Sequence, residues 1–165
     1  MALVLNGSGS ITGLSAGGLP DGSVTADDIA SLPAGSVLQV QSDSVQGDLT
    51  TSSTSYIATG LSIDFTPKSN NSTIYVQILG GRVYAQSTEQ VDVALGTDGT
   101  VSSNRTISTF ITGGDMHVSN CGLEIINNTS TTQRTYAWYY KASGTVSLNQ
   151  GADYSIHMVI TEVAG

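Results

Sequence analysis

From residue 37 onward, apolar residues recur at every second position. The pattern is clearest across 63–83. Ile63 and Phe65 alternate with polar residues before a polar stretch, and Ile74, Val76 and Ile78 alternate after it. A period of two marks a strand with one buried face. Pro67 and the run Ser69-Asn70-Asn71-Ser72 suit neither strand nor helix, so they form the connection. The same reading predicts strands over 37–45, 56–65, 74–83, 89–95, 106–111, 116–126, 135–142, 146–148 and 154–163. Gly60 is a candidate break in the second, and a shift of apolar parity around Gly122 predicts a bend or bulge there. Asp98-Gly99 is a strong hairpin signal, Gly113-Gly114-Asp115 and Ser143-Gly144 are turns, and 127–132 is a loop. About nine strands with turn signals every ~8–12 residues predict an all-β sandwich or barrel. Several strands are apolar on both faces: Val159 and Val163 oppose Ile156, Met158 and Ile160. A two-layer sandwich leaves its outer faces wet, so the second apolar set points to a homo-oligomer interface.

Residues 1–36 follow a different grammar and read as an arm preceding a head at 37–165. Gly, Ser and turn dipeptides separate sparse apolar residues. One short helix is predicted at 26–31, capped by Thr25, with Asp27 and Asp28 in its first turn and Pro33 ending it. Two turns of helix are marginal alone in water, so the arm must dock to be ordered. It either packs along its own domain or, the reading we favour, tethers the chain to a neighbour or a larger assembly. Leu3, Leu5, Ile11, Leu14, Leu19, Ile29 and Leu32 are then the assembly contacts.

Composition narrows the function. Only 11% of the 165 residues are charged, so Ser, Thr, Asn and Gly carry solubility. The formal charge is −8, and the five basic residues are scattered, which argues against nucleic acid as a partner. A single cysteine, Cys121, excludes an intrachain disulfide. The N-terminal apolar run stops at Leu5 without a basic region before it, so no secretory signal is read, and no stretch is long and apolar enough for membrane insertion. The chain is expected to be made in cytoplasm.

Candidate chemistry is sparse. Gly13-x-Ser15-x-Gly17 matches the spacing of a nucleophile elbow but lacks the strand and helix that would aim the serine. His117 and Cys121 are four apart, ~13 Å along a strand, too far to share one zinc. Six N-x-[ST] sequons read as turn residues. Tyr136, Trp138 and Tyr140 form a row that suits a core or interface before a sugar-stacking face. Glu162 shares a face with apolar residues and needs a partner if buried. No catalytic, cofactor-binding or metal-ligating residue is assigned.

Two segments and the chain's end resemble a known family. N-G-S-G-S-I-T-G-L-S-A-G-G-L-P-D-G-S-V-T-A-D-D-I-A at 6–30 resembles the opening of many bacteriophage tail-fibre proteins. S-Y-I-A-T-G-L-S-I-D-F-T-P-K-S-N-N-S-T-I-Y-V-Q-I at 55–78 is similar to the first strands of the jelly-roll heads borne by that family, and Y-S-I-H-M-V-I-T-E-V at 154–163 to its last strand. The resemblance implies a homotrimeric, C1q/TNF-like jelly roll on a phage virion, with another virion protein held by residues 1–36. It carries over no active-site residue. The chain lacks the heptads or repeats of a fibre shaft. The expectation is therefore a compact, non-enzymatic tail-fibre-like appendage or, alternatively, a capsid decoration, cement or head-fibre protein; a glycan hydrolase ranks last. Loops 97–105, 112–116, 127–133 and 149–153, with Asp98, Asn104, Asp115, Asn128, Gln133 and Asn149, are the expected contacts to a host-surface glycan or protein.

Overall fold

A computed structural model describes the backbone of residues 4–5, 11–12, 32–85, 87–111, 116–149 and 153–165, and the side chains of these except at 4–5, 11–12 and 102–120. The chain divides into two compact units, Met1–Pro33 and Ala34–Gly165. The first contains β1 (Val4–Leu5) and β2 (Ile11–Thr12), paired antiparallel with Leu5 opposite Ile11. This short ladder was not expected of coil-rich sequence. The helix expected at 26–31 lies outside the described residues. The second unit begins three residues before the expected head because its entry is tied down: Gly35 N–H donates to Ala164 O at 2.8 Å, and Ala164 N–H to Ser36 O at 2.8 Å.

The head is all-β. Its strands are β3 (Val37–Gln46), β4 (Leu49–Thr51), β5 (Ile57–Phe65), β6 (Ser72–Ala85), β7 (Glu89–Thr97), β8 (Thr100–Ile111), β9 (Met116–Asn128), β10 (Arg134–Ala142), β11 (Val146–Leu148) and β12 (Ser155–Ala164). One sheet has the order β5-β10-β7-β8. In the other, β6 pairs with β9 on one side and with β12 and β11 on the opposite side; β3 and β4 lie beyond these. The registers show that β4 continues the line of β3, and β12 that of β11. Merging each pair reduces ten strands to eight, ordered first–eighth–third–sixth and second–seventh–fourth–fifth. All pairings are antiparallel. This is the strand order of a jelly roll.

The alternation in sequence becomes the core. The β6 sheet contributes Ile74, Val76, Ile78, Ile156, Met158 and Ile160; the β10 sheet contributes Leu61, Phe65, Val93, Leu95, Tyr136, Trp138 and Tyr140. Each large apolar side chain fully buried stabilises by ~1.5–3 kcal/mol against exposure. The aromatic row is core: Trp138 is fully buried, and Tyr136 meets Phe65 edge to face, with centroids 6.3 Å apart. Burial also raises the Tyr140 hydroxyl above its ordinary pKa.

Register shifts interrupt four ladders, β5–β10, β3–β12, β6–β9 and β7–β8. At Gly60 (φ +83°) β5 bulges against β10, and Thr59 Oγ1 bridges the gap, donating to Trp138 O at 2.8 Å and accepting from Leu61 N–H at 3.2 Å. The bulge expected at Gly122 lies instead on the partner strand. Gly122 pairs regularly with Ile78, while the register slips between Gly80 and Val83. Gly80 and Gly81 both take positive φ, where glycine carries no steric penalty. Strand β8 begins at Thr100 rather than near 106, because a two-residue turn at Asp98-Gly99 feeds straight into the β7 ladder.

Gly81 admits no side chain. A Cβ there would sit 2.7 Å from Ile156 Cγ1 and 2.8 Å from Asn149 Oδ1 at φ +72°. Gly81→Ala is expected to cost ~2–4 kcal/mol in strain and overlap, whereas Gly99→Ala, equally left-handed but open, should cost only ~1 kcal/mol. Urea unfolding of the two variants checks the difference.

Candidate functional site

Three surfaces of the head stand out. The first is the outer face of the β6 sheet. Because side chains alternate across a strand, the residues between the buried ones point outward, and register aligns them in rows. Ser42, Val159, Gln77 and Leu123 form one row; Val40, Thr161, Tyr75 and Ile125 form the next. Val37 and Val163 flank these rows on one side, Leu79 and Cys121 on the other. Val37, Val40, Leu79, Leu123 and Ile125 are 40–57% exposed. Among the described side chains, none of the large exposed apolar residues lies on the β10 sheet. There the corresponding positions are small: Ala58, Gly60, Ala94, Gly96 and Ala137, with Tyr139 lying across Gly96 so closely that a Cβ at 96 would fall 2.5 Å from its ring. One outer face is thus apolar and wet, which single-sheet burial does not require.

The second surface is the end of the sandwich where the chain enters at Ala34. Connections 66–71, 98–99 and 129–133 gather here. A buried carboxylate ties three of the strands, β3, β6 and β12, to the first of these connections. Glu162 is fully buried on β12; its oxygens accept from Lys68 N–H at 2.8 and 3.1 Å, Ser69 N–H at 3.1 Å, Ser72 Oγ at 2.8 Å and Gln39 Nε2 at 2.7 Å. Burial alone would raise its pKa; the bonds from Lys68 N–H, Gln39, Ser72 and Ser69 together outweigh that and hold the carboxyl below its ordinary value. Asn128 Nδ2 adds bonds to Ser69 O at 2.6 Å and Ser72 Oγ at 3.1 Å. Beside it, Asp98 accepts from Thr135 N–H at 2.9 Å and pairs with Arg134 at 3.0 Å. A polar recess of about 360 Å³ opens between Asn128, Arg134 and Thr97.

The third surface is the opposite end, formed by 52–56, the start of β7 and the β10–β11 turn. Glu89 accepts from Ser143 Oγ at 2.6 Å and Ser87 Oγ at 2.8 Å, and the Ser143 bond, then the Ser87 bond, lowers its pKa. A side chain at Gly144 would collide with the Glu89 carboxylate. Lys141 and Asp92 face each other in register on β10 and β7, 3.3 Å apart. Gln90 Nε2 donates to Asp92 at 2.7 Å, and Lys141 Nζ lies 4.9 Å from the centre of the Tyr56 ring. A cleft of about 190 Å³ lies between these groups and Thr54.

The expected contact residues are divided by this geometry. Asp98, Asn128 and Gln133 collect at the entry end, with Asp98 and Gln133 exposed and Asn128 half-buried. Asn104 lies within β8 rather than in a loop. Asn149 departs from the expectation of exposure: at φ +57° its side chain is buried against Gly81, and Nδ2 donates to Val45 O at 3.1 Å. Asp115, Ser15 and the arm residues Leu3, Leu14, Leu19 and Ile29 lie outside the described residues, and Leu32 is exposed. The Asp92–Lys141 pair was not singled out from sequence, because its register was not legible there.

No protein-family model matches the chain, and no curated protein matches its sequence. Among solved structures, dimeric latent PorU from Porphyromonas gingivalis is similar over 81% of this chain at 12% identity, with a TM-score of 0.37. The chain spans only 14% of that protein's length.

Proposed function

We propose that this chain is a non-enzymatic structural protein of a phage virion. It is a compact homotrimer anchored to another virion protein through residues 1–36, and its head meets the host surface. The observation that carries assembly is the apolar outer face of the β6 sheet: valine, leucine, isoleucine and tyrosine side chains in register, on a chain otherwise kept soluble by small polar residues. Burying such a face between copies removes it from water without new chemistry. The virion reading rests on the resemblance of the arm to tail-fibre openings. Three copies carry 3 × −8, or −24, formal charge, which discourages sticking to acidic surfaces.

The fold adds a direction. Ala34 sits beside Ala164 and the 66–71 connection, so an arm anchored in the particle holds that end inward. The end carrying Glu89, Asp92 and Lys141 then points away. A capsid decoration role is the second reading, and copy number separates the two: hundreds per particle for decoration, a handful to a few dozen for a tail. Deleting residues 1–33, which leaves the Gly35 and Ser36 bonds intact, should give a folded trimeric head that no longer joins particles. Incorporation at the parent level would contradict the anchor role.

A further inference from the structure

We infer that the cleft between Thr54, Gln90, Asp92, Lys141 and Ser143 binds a saccharide, taking one ring of a neutral host-surface glycan. The inference rests on the reading above for its biological setting and on the cleft itself for its chemistry.

A sugar ring presents hydroxyls that each donate and accept. The cleft offers a matching set: an acceptor carboxylate at Asp92, a donor ammonium at Lys141, an amide at Gln90 and hydroxyls at Thr54 and Ser143. Four of these groups, Gln90, Asp92, Lys141 and Ser143, are set in place before any ligand arrives. Asp92 is held by Gln90 and Lys141, its side chain only 12% exposed, and Lys141 is held by Asp92 and the Tyr56 ring. Ordering long side chains is a main cost of binding, and here much of it is met on folding. Ser143 is fixed as well, through Glu89 and through its N–H bond to Gln90 O at 3.0 Å.

Size and charge narrow the ligand. A space of about 190 Å³ admits one ring, and a second recess of about 440 Å³ on the other side of Glu89 gives a longer chain room to continue. Glu89, Asp92 and Lys141 sum to −1 on a chain of −8, so an acidic sugar or phosphate is disfavoured. A protein partner is the weaker alternative. Protein hot spots are built on large apolar or aromatic anchors, and no such side chain lines the cleft. Each trimer would carry three such clefts pointing the same way, and linking weak sites raises avidity by ~10²–10⁴.

The test uses the full-length, 15N-labelled protein titrated separately with glucose, galactose, mannose and N-acetylglucosamine to about 100 mM, a range suited to millimolar sites. At least one sugar is expected to shift amides of 54–56, 89–92 and 141–144 saturably. Asp92→Asn and Lys141→Met should each weaken that response about tenfold or more. If either variant melts early, Gln90→Ala provides the same test with both charges kept. No saturable shift with any of the four sugars, or shifts confined elsewhere, such as around Tyr139, would overturn the site. Sedimentation of the same samples separates the two claims. A trimer without sugar shifts removes the site alone, and a monomer with them removes the trimeric reading alone.

Discussion

Glu162→Ala is expected to destabilise the head by ~3–5 kcal/mol at neutral pH, a large part of the 5–15 kcal/mol typical of a domain. Truncation strands two backbone donors at once. Gln39 Nε2 still has Thr66 O at 2.8 Å, and Ser72 Oγ still has Ser69 O at 3.1 Å, but Lys68 and Ser69 N–H lose the carboxylate that caps them. Each buried donor left without a partner costs ~1–3 kcal/mol. Glu162→Gln should fall between parent and alanine, since its amide nitrogen turns a donor toward other donors. The same contacts set a pH dependence. The folded pKa lies below the ordinary 4.5, so this contribution is full above that value and is lost as pH falls through the folded pKa. Urea midpoints taken from pH 7 down to about pH 3 should therefore fall less steeply for Glu162→Gln than for the parent. Parallel slopes would show that the carboxylate is not held as described.

Ile125→Asp is expected to convert the proposed trimer to folded monomers. Ile125 is 57% exposed on the outer face of β9, so the substitution disturbs nothing in the core of a single copy. At a buried interface it places an unpaired carboxylate in each of three copies, at several kcal/mol apiece. A shift of at least ~10³ in the association constant follows, since each 1.4 kcal/mol is tenfold. Size-exclusion elution with unchanged far-UV circular dichroism reads it. A companion change on the other sheet, Ser62→Asp, adds the same charge at an exposed β5 position and should leave the trimer intact. Equal behaviour of the two variants would place the interface elsewhere.

The strands were legible because alternation is a local signal. The stretch 63–83 showed its buried residues directly, and Gly60 marked its bulge. Strand order was not legible: β5 pairs with β10 some seventy positions away, and nothing local to Ile63 names Tyr136 as its neighbour. The bulge was placed on the wrong strand. Three steps from Gly80 to Val83 on β6 face two from Asn120 to Val118 on β9, so the one extra residue is on β6 and the parity change around Gly122 did not mark it. The pair Gly80-Gly81 was the available signal. Strand β8 was shortened because Ser102, Ser103 and Asn104 carry no alternation; they fall in a register shift, between Val101 opposite Gly96 and Thr106 opposite Ala94. Asn149 looked like a loop tip by composition but is buried in the turn between β11 and β12. The far-end site had one faint trace: Asp92 and Lys141 are charges set among apolar strand residues on a chain that has few. Only the register puts them together.

The central claim is that the β6-sheet face joins three copies. Sedimentation velocity of the full-length protein at micromolar concentration tests it most directly. The prediction is one species of about 51 kDa, three times 17.0 kDa, persisting on dilution. A single species at 17.0 kDa would contradict it, leaving an exposed apolar face with no second copy to cover it.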